Sequence, residues 1–314
     1  MTFMIYTLTL NPAIDLFIKT KEMEPNTVNR TESYDVQANG KGVNVSFILH
    51  RLGIENTALG IGAGFTLDYI TSYLSHNGIP NEFFKVEGFT RINVFTRVEN
   101  TGDEYKLVNP GPYATSKAQN DLWNRLETLS DQDWLCVSGS FAKGIDPAFI
   151  VDIAALSDRK GFKLILDSAY STVKGAFKYH PYLIKPNDVE LGNWYNKPVH
   201  TISEVQKLAV RALSEGVQNV LVSLGDKGAV FMNSEEMLIS NAPTIDVLNT
   251  AGAGDTMLGT FIAGLHAGLD MKQNLINAVI AASDTARSSW LTEFEHTDDL
   301  KAQVKVVEAK MPSY

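Results

Sequence analysis

From about residue 115 onward the chain alternates apolar runs with helical patterns, and this rhythm constrains the fold more than any other feature. A helix over Lys117–Leu129 precedes the run Trp134-Leu-Cys-Val-Ser138, and a helix over Pro147–Lys160 precedes Phe162–Asp167. Tyr182–Asn187 follows, then helices beginning at Asp188 and Ser203, then strands over Asn219–Gly225, Ala229–Met232 and Met237–Ser240. Strands alternating with helices join right-handedly, which gives an α/β fold with a mainly parallel sheet covered on both faces. The unbroken apolar character of the runs agrees, since such strands are buried on both sides. The tail after Asp298 reads as a last amphipathic helix.

The first hundred residues break the rhythm. Phe3–Leu10 is a buried strand ending at the turn Asn11-Pro12, with Asp15 just beyond. Residues 16 to 37 alternate loosely and are polar, and Thr90–Asn100 is strongly period-two, followed by a turn and Glu104–Val108. These segments predict a small separate sheet inserted into the larger one. Between them lies Gly40-Lys41-Gly42-Val43-Asn44, which leads into a helix with Val43, Phe47, Ile48 and Leu52 on one side. Leu59-Gly-Ile-Gly-Ala-Gly64 resembles a dinucleotide loop, but residue 67, where a third glycine belongs, is Leu. It reads as a tightly packed strand end, which disfavours a nicotinamide enzyme.

Composition excludes some partners. A net charge of −9 with no basic run disfavours nucleic acid. No apolar run approaches the roughly 20 residues needed to span a bilayer, and the opening Met-Thr-Phe-Met-Ile-Tyr lacks a basic region followed by an apolar run, so no signal peptide is expected. A single cysteine, Cys136 in an apolar run, suits a reducing cytoplasmic setting and a place in the core.

The polar motifs share one placement: Asp15, Ser138/Ser140, Lys185/Asn187, Ser223/Gly225 and the 252–255 loop all follow apolar strands. Open α/β sheets bind ligands at the carboxyl ends of their strands, so this convergence predicts one cleft. Asp246–Asn249 reads as strand-like and runs into Gly252-Ala253-Gly254-Asp255, after which a helix begins. Small residues at a helix N-terminus leave bare N–H groups that receive anions. A carboxylate there suits a base facing an alcohol during phosphoryl transfer; a Gly-rich turn with a first-turn Asp complementing the dipole is the plainer account. Asn187 and Glu190 supply an amide oxygen and a carboxylate of the kind Mg²⁺ accepts, or simply start a helix with Glu at its third position. Ser223 to Gly228 is a turn able to line a nucleotide through its backbone, or an ordinary β-turn. No Walker A loop or protein-kinase motif set is present.

Asn249-Thr-Ala-Gly-Ala-Gly-Asp255, Gly40-Lys-Gly-Val-Asn44 and Lys185-Pro-Asn-x-x-Glu190 together resemble the ribokinase/PfkB family of carbohydrate kinases, in order along essentially the whole chain. The opening Thr-Leu-Thr-Leu-Asn11-Pro-Ala-Ile-Asp15 and Thr90-Arg-Ile-Asn93 resemble its branch acting on hexose monophosphates. The resemblance implies a ribokinase-like three-layer sandwich over 1–314, with residues 16–37 and 90–108 as a β-sheet lid that pairs in homodimers. It implies an ATP- and Mg²⁺-dependent kinase of a ketohexose monophosphate. Fructose 1-phosphate is the first choice and tagatose 6-phosphate the alternative. A non-catalytic sugar-phosphate sensor is disfavoured by Asp255, because a sensor needs no base.

By the same resemblance Asp255 would be the base, and Gly252, Ala253 and Gly254 the anion hole; a carboxylate beside a helix N-terminus should itself be a weak base, held ionised by the dipole. Asp15 and Asn44 would hold sugar hydroxyls, with Gly40 and Ser138 beside the sugar. Arg30, Lys41 and Arg91 would neutralise its phosphate. Asn187 and Glu190 would organise Mg²⁺, while Lys185, Ser223, Gly225, Lys227, Gly228, Asn277 and Ala281 would border ATP. The chain departs from the family pattern at Asn39, where Gly is usual, at Ala142-Lys143, at Tyr170 and at Ala251. Lys143 is thereby expected to stand as a spare cation near the cleft.

Overall fold

A computed structural model of the chain describes residues 4–311; Phe3, placed at the start of the first strand by its sequence, lies outside them. In chain order the strands are β1 Ile5–Thr9, β2 Ala13–Thr20, β3 Ser33–Asn39, β4 Asn56–Ala63, β5 Asn81–Val86, β6 Arg91–Val98 and β7 Glu104–Leu107. There follow β8 Trp134–Ser138, β9 Lys163–Asp167, β10 Leu183–Ile184, β11 Val220–Ser223, β12 Ala229–Met232, β13 Met237–Ser240 and β14 Val306–Glu308. The helices are α1 Lys41–Arg51, α2 Gly64–His76, α3 Ser116–Leu126, α4 Phe149–Lys160, α5 Asp188–Trp194, α6 Ile202–Ser214, α7 Ala253–His266, α8 Met271–Ala286 and α9 Asp298–Lys301.

Among the described residues the main sheet has ten strands in the order β14-β13-β12-β11-β10-β9-β8-β1-β4-β5. The run from β11 to β5 is parallel, and β12, β13 and β14 add an antiparallel margin. Successive side chains point to opposite faces of a strand, and both faces are covered. Leu135 and Val137 of β8 join the core beneath α3, α4, α5 and α6, while Trp134 and Cys136 join the core beneath α1, α7 and α8. This double burial is why the strands read as continuous apolar runs.

The second sheet, in the order β3-β2-β6-β7, is built from the irregular first hundred residues. Its β2–β6 pair is parallel, with Asp15 opposite Asn93, and β2–β3 is antiparallel, with Asp15 opposite Gln37. Two local expectations fail. Residues 241–250 form no strand and run as an irregular segment. The tail is not a helix beyond the four residues of α9; its last apolar stretch becomes β14, pairing Leu238 with Glu308. An open sheet edge supplies backbone partners that outweigh a weak helical pattern.

Candidate active site

The organising helix α7 starts abruptly. Gly252 caps it in the left-handed region at φ 79°, a conformation glycine adopts without penalty. Of the three expected anion-hole amides, Ala253 donates to the Thr250 carbonyl at 3.3 Å. The N–H groups of Gly252, Gly254 and Asp255 have no intramolecular partner among the described residues, so two of the three expected donors are free and the Asp255 N–H stands in for that of Ala253. A Cβ at Gly254 would stand 3.4 Å from the Lys185 ammonium, which the missing side chain admits to the loop.

Asp255 follows in the first turn and is buried, 6% exposed. Its Oδ2 accepts from Asn44 Nδ2 at 2.7 Å. Burial pushes its pKa up from an ordinary 3.8 to about 6, opposed by Lys41, reinforced by Asp167, and opposed by the Asn44 hydrogen bond and Lys185. The expectation that the helix dipole keeps this carboxylate a weak base is therefore corrected. Desolvation outweighs the dipole, whose effect is worth about 0.3–1 kcal/mol at an exposed site.

Asp255 lines a cavity of about 900 Å³ at the carboxyl ends of the parallel strands. Asn39, Lys41, Asn44, Lys185, Asn187, Glu190, Ser223, Gly225, Gly228 and the 250–254 loop line it too. One wall is apolar: Ile245, Met257, Val279, Ala282 and Ala286. Val279, Ala282, Ser283 and Ala286 share one helical face of α8, and the expected Asn277 and Ala281 lie off it. Ala281 is buried, and Asn277 accepts from Gln273 at 2.9 Å. Lys227 is exposed at the tip of the 225–227 turn and does not reach the cavity.

A smaller cavity of about 310 Å³ adjoins it, lined by Thr9, Asn11, Lys41, Arg91, Ser138, Ser140, Tyr170 and Glu190. Lys41 and Glu190 line both. Arg91 donates from NH2 to the Asn11 carbonyl at 3.0 Å, and its buried Nε has no partner among the described residues. Ser138 is buried, with its Oγ 3.3 Å from Cys136 Sγ. Tyr170 keeps its place by accepting from the Phe141 N–H at 3.1 Å.

Behind the cations sits a residue the sequence reading passed over. Asp167, the last residue of β9, is fully buried, with Oδ1 3.1 Å from Lys41 Nζ and 3.5 Å from Lys185 Nζ. Burial would raise its pKa, but Lys185 and Lys41 overcome this and hold it below the ordinary carboxylate range. Burial pushes the Lys41 ammonium pKa down, yet Asp167, Asp255 and Glu190 together carry it above the usual value. Asp167 ends a strand at the same sheet edge as the other polar residues, and that signal could have found it.

Asn187 and Glu190 form a reciprocal capping box: Glu190 N donates to Asn187 Oδ1 at 2.7 Å, and Asn187 N to Glu190 Oε2 at 3.0 Å. Helix starting and cavity lining thus coexist. Glu190 Oε1 stays clear of the box, 3.9 Å from Lys41 Nζ. No cluster of three or more His, Cys, Asp or Glu side chains suited to a metal occurs among the described residues. The donor set fits a Mg²⁺ ion that keeps most of its waters and arrives with phosphates, not a closed cage.

Several expected residues stand elsewhere. Asp15 lies inside β2, not past a strand end, and lines neither cavity; its carboxylate accepts from Asn39 and, at 2.8 Å, from Asn93. Burial raises its pKa against those two hydrogen bonds and Arg91. Gly40 lines neither cavity; at φ 135° it brings the chain against Thr9, where a Cβ would come within 2.7 Å. Arg30 is exposed on the β2–β3 connection, past the Lys19–Ser33 pair. Arg30 lines neither cavity. Lys143 is exposed, lines neither cavity and engages Ala114 only through its carbonyl.

A cavity at the topological edge of an α/β sheet, with a buried carboxylate among bare helix amides and two lysines, defines the phosphotransferase class. The chain belongs to the PfkB family: the model for pfkB family carbohydrate kinases matches residues 6–296. It is a sugar-phosphate kinase with the ribokinase-like fold of that family. It is 37% identical to a D-tagatose-1-phosphate kinase of Bacillus licheniformis, over 96% of this chain and 99% of that one. It is 33% identical to a 1-phosphofructokinase of Borreliella burgdorferi, over 96% and 98%. The crystal structure of phosphofructokinase-2 from Escherichia coli in complex with substrates and products superposes with a TM-score of 0.88 at 26% identity, covering 95% of this chain and 98% of that one.

Proposed function

We propose that the protein transfers the terminal phosphoryl group of ATP to a ketohexose 1-phosphate, with fructose 1-phosphate, phosphorylated at O6 to fructose 1,6-bisphosphate, as first choice. The observation that carries this reading is the join between the two cavities at Lys41 and Glu190, with Asp255 on the larger side. The smaller cavity, holding Arg91, Lys41, Ser138 and Ser140, suits a phosphate already on the sugar. The larger one suits a nucleotide, its base against the α8 wall and its phosphates toward the free amides of Gly252, Gly254 and Asp255.

Asp255 takes the acceptor hydroxyl's proton as the oxygen attacks. Its proton affinity, poised near pH 6, makes it ionised at neutral pH yet basic enough to accept. Lys185 and Lys41, steadied by Asp167, neutralise charge on the migrating group. A Mg²⁺ ion held from Asn187 and Glu190 would supply further charge neutralisation on phosphate oxygens.

A second acceptor is favoured by a specific observation. Relatives named D-tagatose-1-phosphate kinase, at 37% and 34% identity, stand beside those named 1-phosphofructokinase. Both names place the existing phosphate at position 1, which supports a 1-phosphate over the tagatose 6-phosphate alternative. A coupled ADP-release assay over fructose 1-phosphate, tagatose 1-phosphate, tagatose 6-phosphate and the free sugars decides. ADP release with a 1-phosphate and not with free sugars is expected, and none with any acceptor would overturn the reading. The small sheet also exposes Tyr34, Tyr105 and Leu107, which supports a homodimer through that sheet; a related phosphofructokinase-2 is described as tetrameric in its inhibited form. Light scattering at micromolar concentration tests it, a monomer counting against it.

A further inference from the structure

A chain of side-chain hydrogen bonds crosses from the small sheet to the body of the protein. Asn39 ends β3 and lines the large cavity. Its Nδ2 donates to Asp15 on β2, while its Oδ1 accepts from the Gly40 N–H and from Asn44 Nδ2 at 2.9 Å. Asn44 on α1 directs the same NH₂ group to Asp255 Oδ2 at 2.7 Å.

The partners fix both amides. A carboxylate only accepts and a backbone N–H only donates, so Asn39 between Asp15 and Gly40 has one satisfactory orientation. Asn44 then faces two acceptors, Asn39 Oδ1 and Asp255 Oδ2, and must turn its NH₂ toward both. Its own Oδ1 is left buried without a partner among the described residues, in a side chain that lines the cavity. Buried polar atoms are nearly always paired, so this oxygen marks where a ligand hydroxyl donates.

We propose that Asn39 is a positioning residue for phosphoryl transfer. It holds Asn44 in the one orientation that gives Asp255 a hydrogen bond and offers the Asn44 carbonyl to a hydroxyl of the acceptor, and it does so from a strand of the small sheet. The inference rests on reading Asp255 as the base. Without Asn39, Asn44 is free to turn its oxygen so that it accepts from the protonated Asp255 carboxyl, and the bond that favours the ionised base is no longer enforced. The charged groups around Asp255 are Lys41 on α1, Lys185 after β10 and Asp167 at the end of β9, and a change at position 39 removes none of them.

The test is the pH profile of kcat for the wild type, N39A, N39L and D255N, with ATP and the ketohexose 1-phosphate that the wild type turns over fastest. Leucine fills the space of Asn39 without its polar atoms, so a space-filling role predicts wild-type behaviour in N39L. Positioning predicts that N39A and N39L both move the acid limb up by about one pH unit, the lower end of what losing a hydrogen bond to a carboxylate brings. Turnover at pH 6 then falls several-fold to tenfold while the KM for ATP stays within twofold. Each variant is first checked for ATP binding by calorimetry. One that fails is replaced by N39S, whose hydroxyl is too short to span Asp15 and Asn44. An unmoved acid limb in N39L, or in its replacement, overturns the role of Asn39 while an inactive D255N leaves the base in place. Turnover retained by D255N would remove the base and this inference together.

Discussion

Replacing Asp255 with asparagine should cost activity and add stability, and the structure gives both magnitudes. The carboxylate is buried, and its pKa rises from 3.8 to about 6. The native state therefore holds this proton more tightly than the unfolded chain. At this position the native state binds more protons than the unfolded chain between pH 3.8 and about 6, so its contribution to stability falls as pH rises through that window, and the penalty is complete above about pH 6. A difference of about two pH units corresponds to about 3 kcal/mol at pH 7.5, shrinking to about 1 kcal/mol at pH 4.5. Asparagine keeps the shape and can still accept from Asn44 while carrying no charge. D255N should thus melt higher by about 2–6 °C at pH 7.5, at roughly 2 °C per kcal/mol for a large domain, with a much smaller gain at pH 4.5. Loss of the base should cost about 10²–10⁴ in kcat with substrate binding retained. Differential scanning calorimetry at the two pH values, alongside steady-state turnover, reads both. A melting temperature at pH 7.5 no higher than wild type, or an equal gain at both pH values, would refute the desolvation argument. Near-normal turnover would refute the base assignment.

The same shift predicts that kcat/KM for the wild type falls below an acid limb centred near pH 6, tenfold per pH unit, because Asp255 must be ionised to accept a proton; a limb near pH 4 would contradict it. Arg91→Ala should raise the KM for the sugar phosphate with little change in the KM for ATP, since Arg91 lines only the smaller cavity; an unaltered sugar-phosphate KM removes it from the site. Asp167→Ala leaves Lys185, 3% exposed, without its buried counter-ion, and removing one partner of a buried pair costs about 3–5 kcal/mol. A melt at pH 7.5 should show that loss, and a wild-type melting temperature would show that the lysines repack freely.

The layered sheet was legible in the order of residues, because burial on both faces of β8, β9 and β11 leaves apolar runs that alternate with helical patterns, as a covered parallel sheet requires. The abrupt start of α7 was legible too, since Gly252 and Gly254 beside Asp255 are local marks of a bare helix start. What residue order alone could not fix was long-range. Asp167 reads as any strand-end carboxylate until the fold brings Lys41, 126 positions away, to within 3.1 Å. Asn277 and Ala281 lie on the right helix but off the face that α8 turns to the cavity, which packing against α7 and the sheet sets. Asp15 reads as an open ligand contact until β3 and β6 bring the Asn39 and Asn93 amides onto it. The proton affinity of Asp255 was misjudged for the same reason: the dipole that lowers it is encoded within one helical turn, whereas the desolvation that raises it comes from residues the chain gathers only on folding.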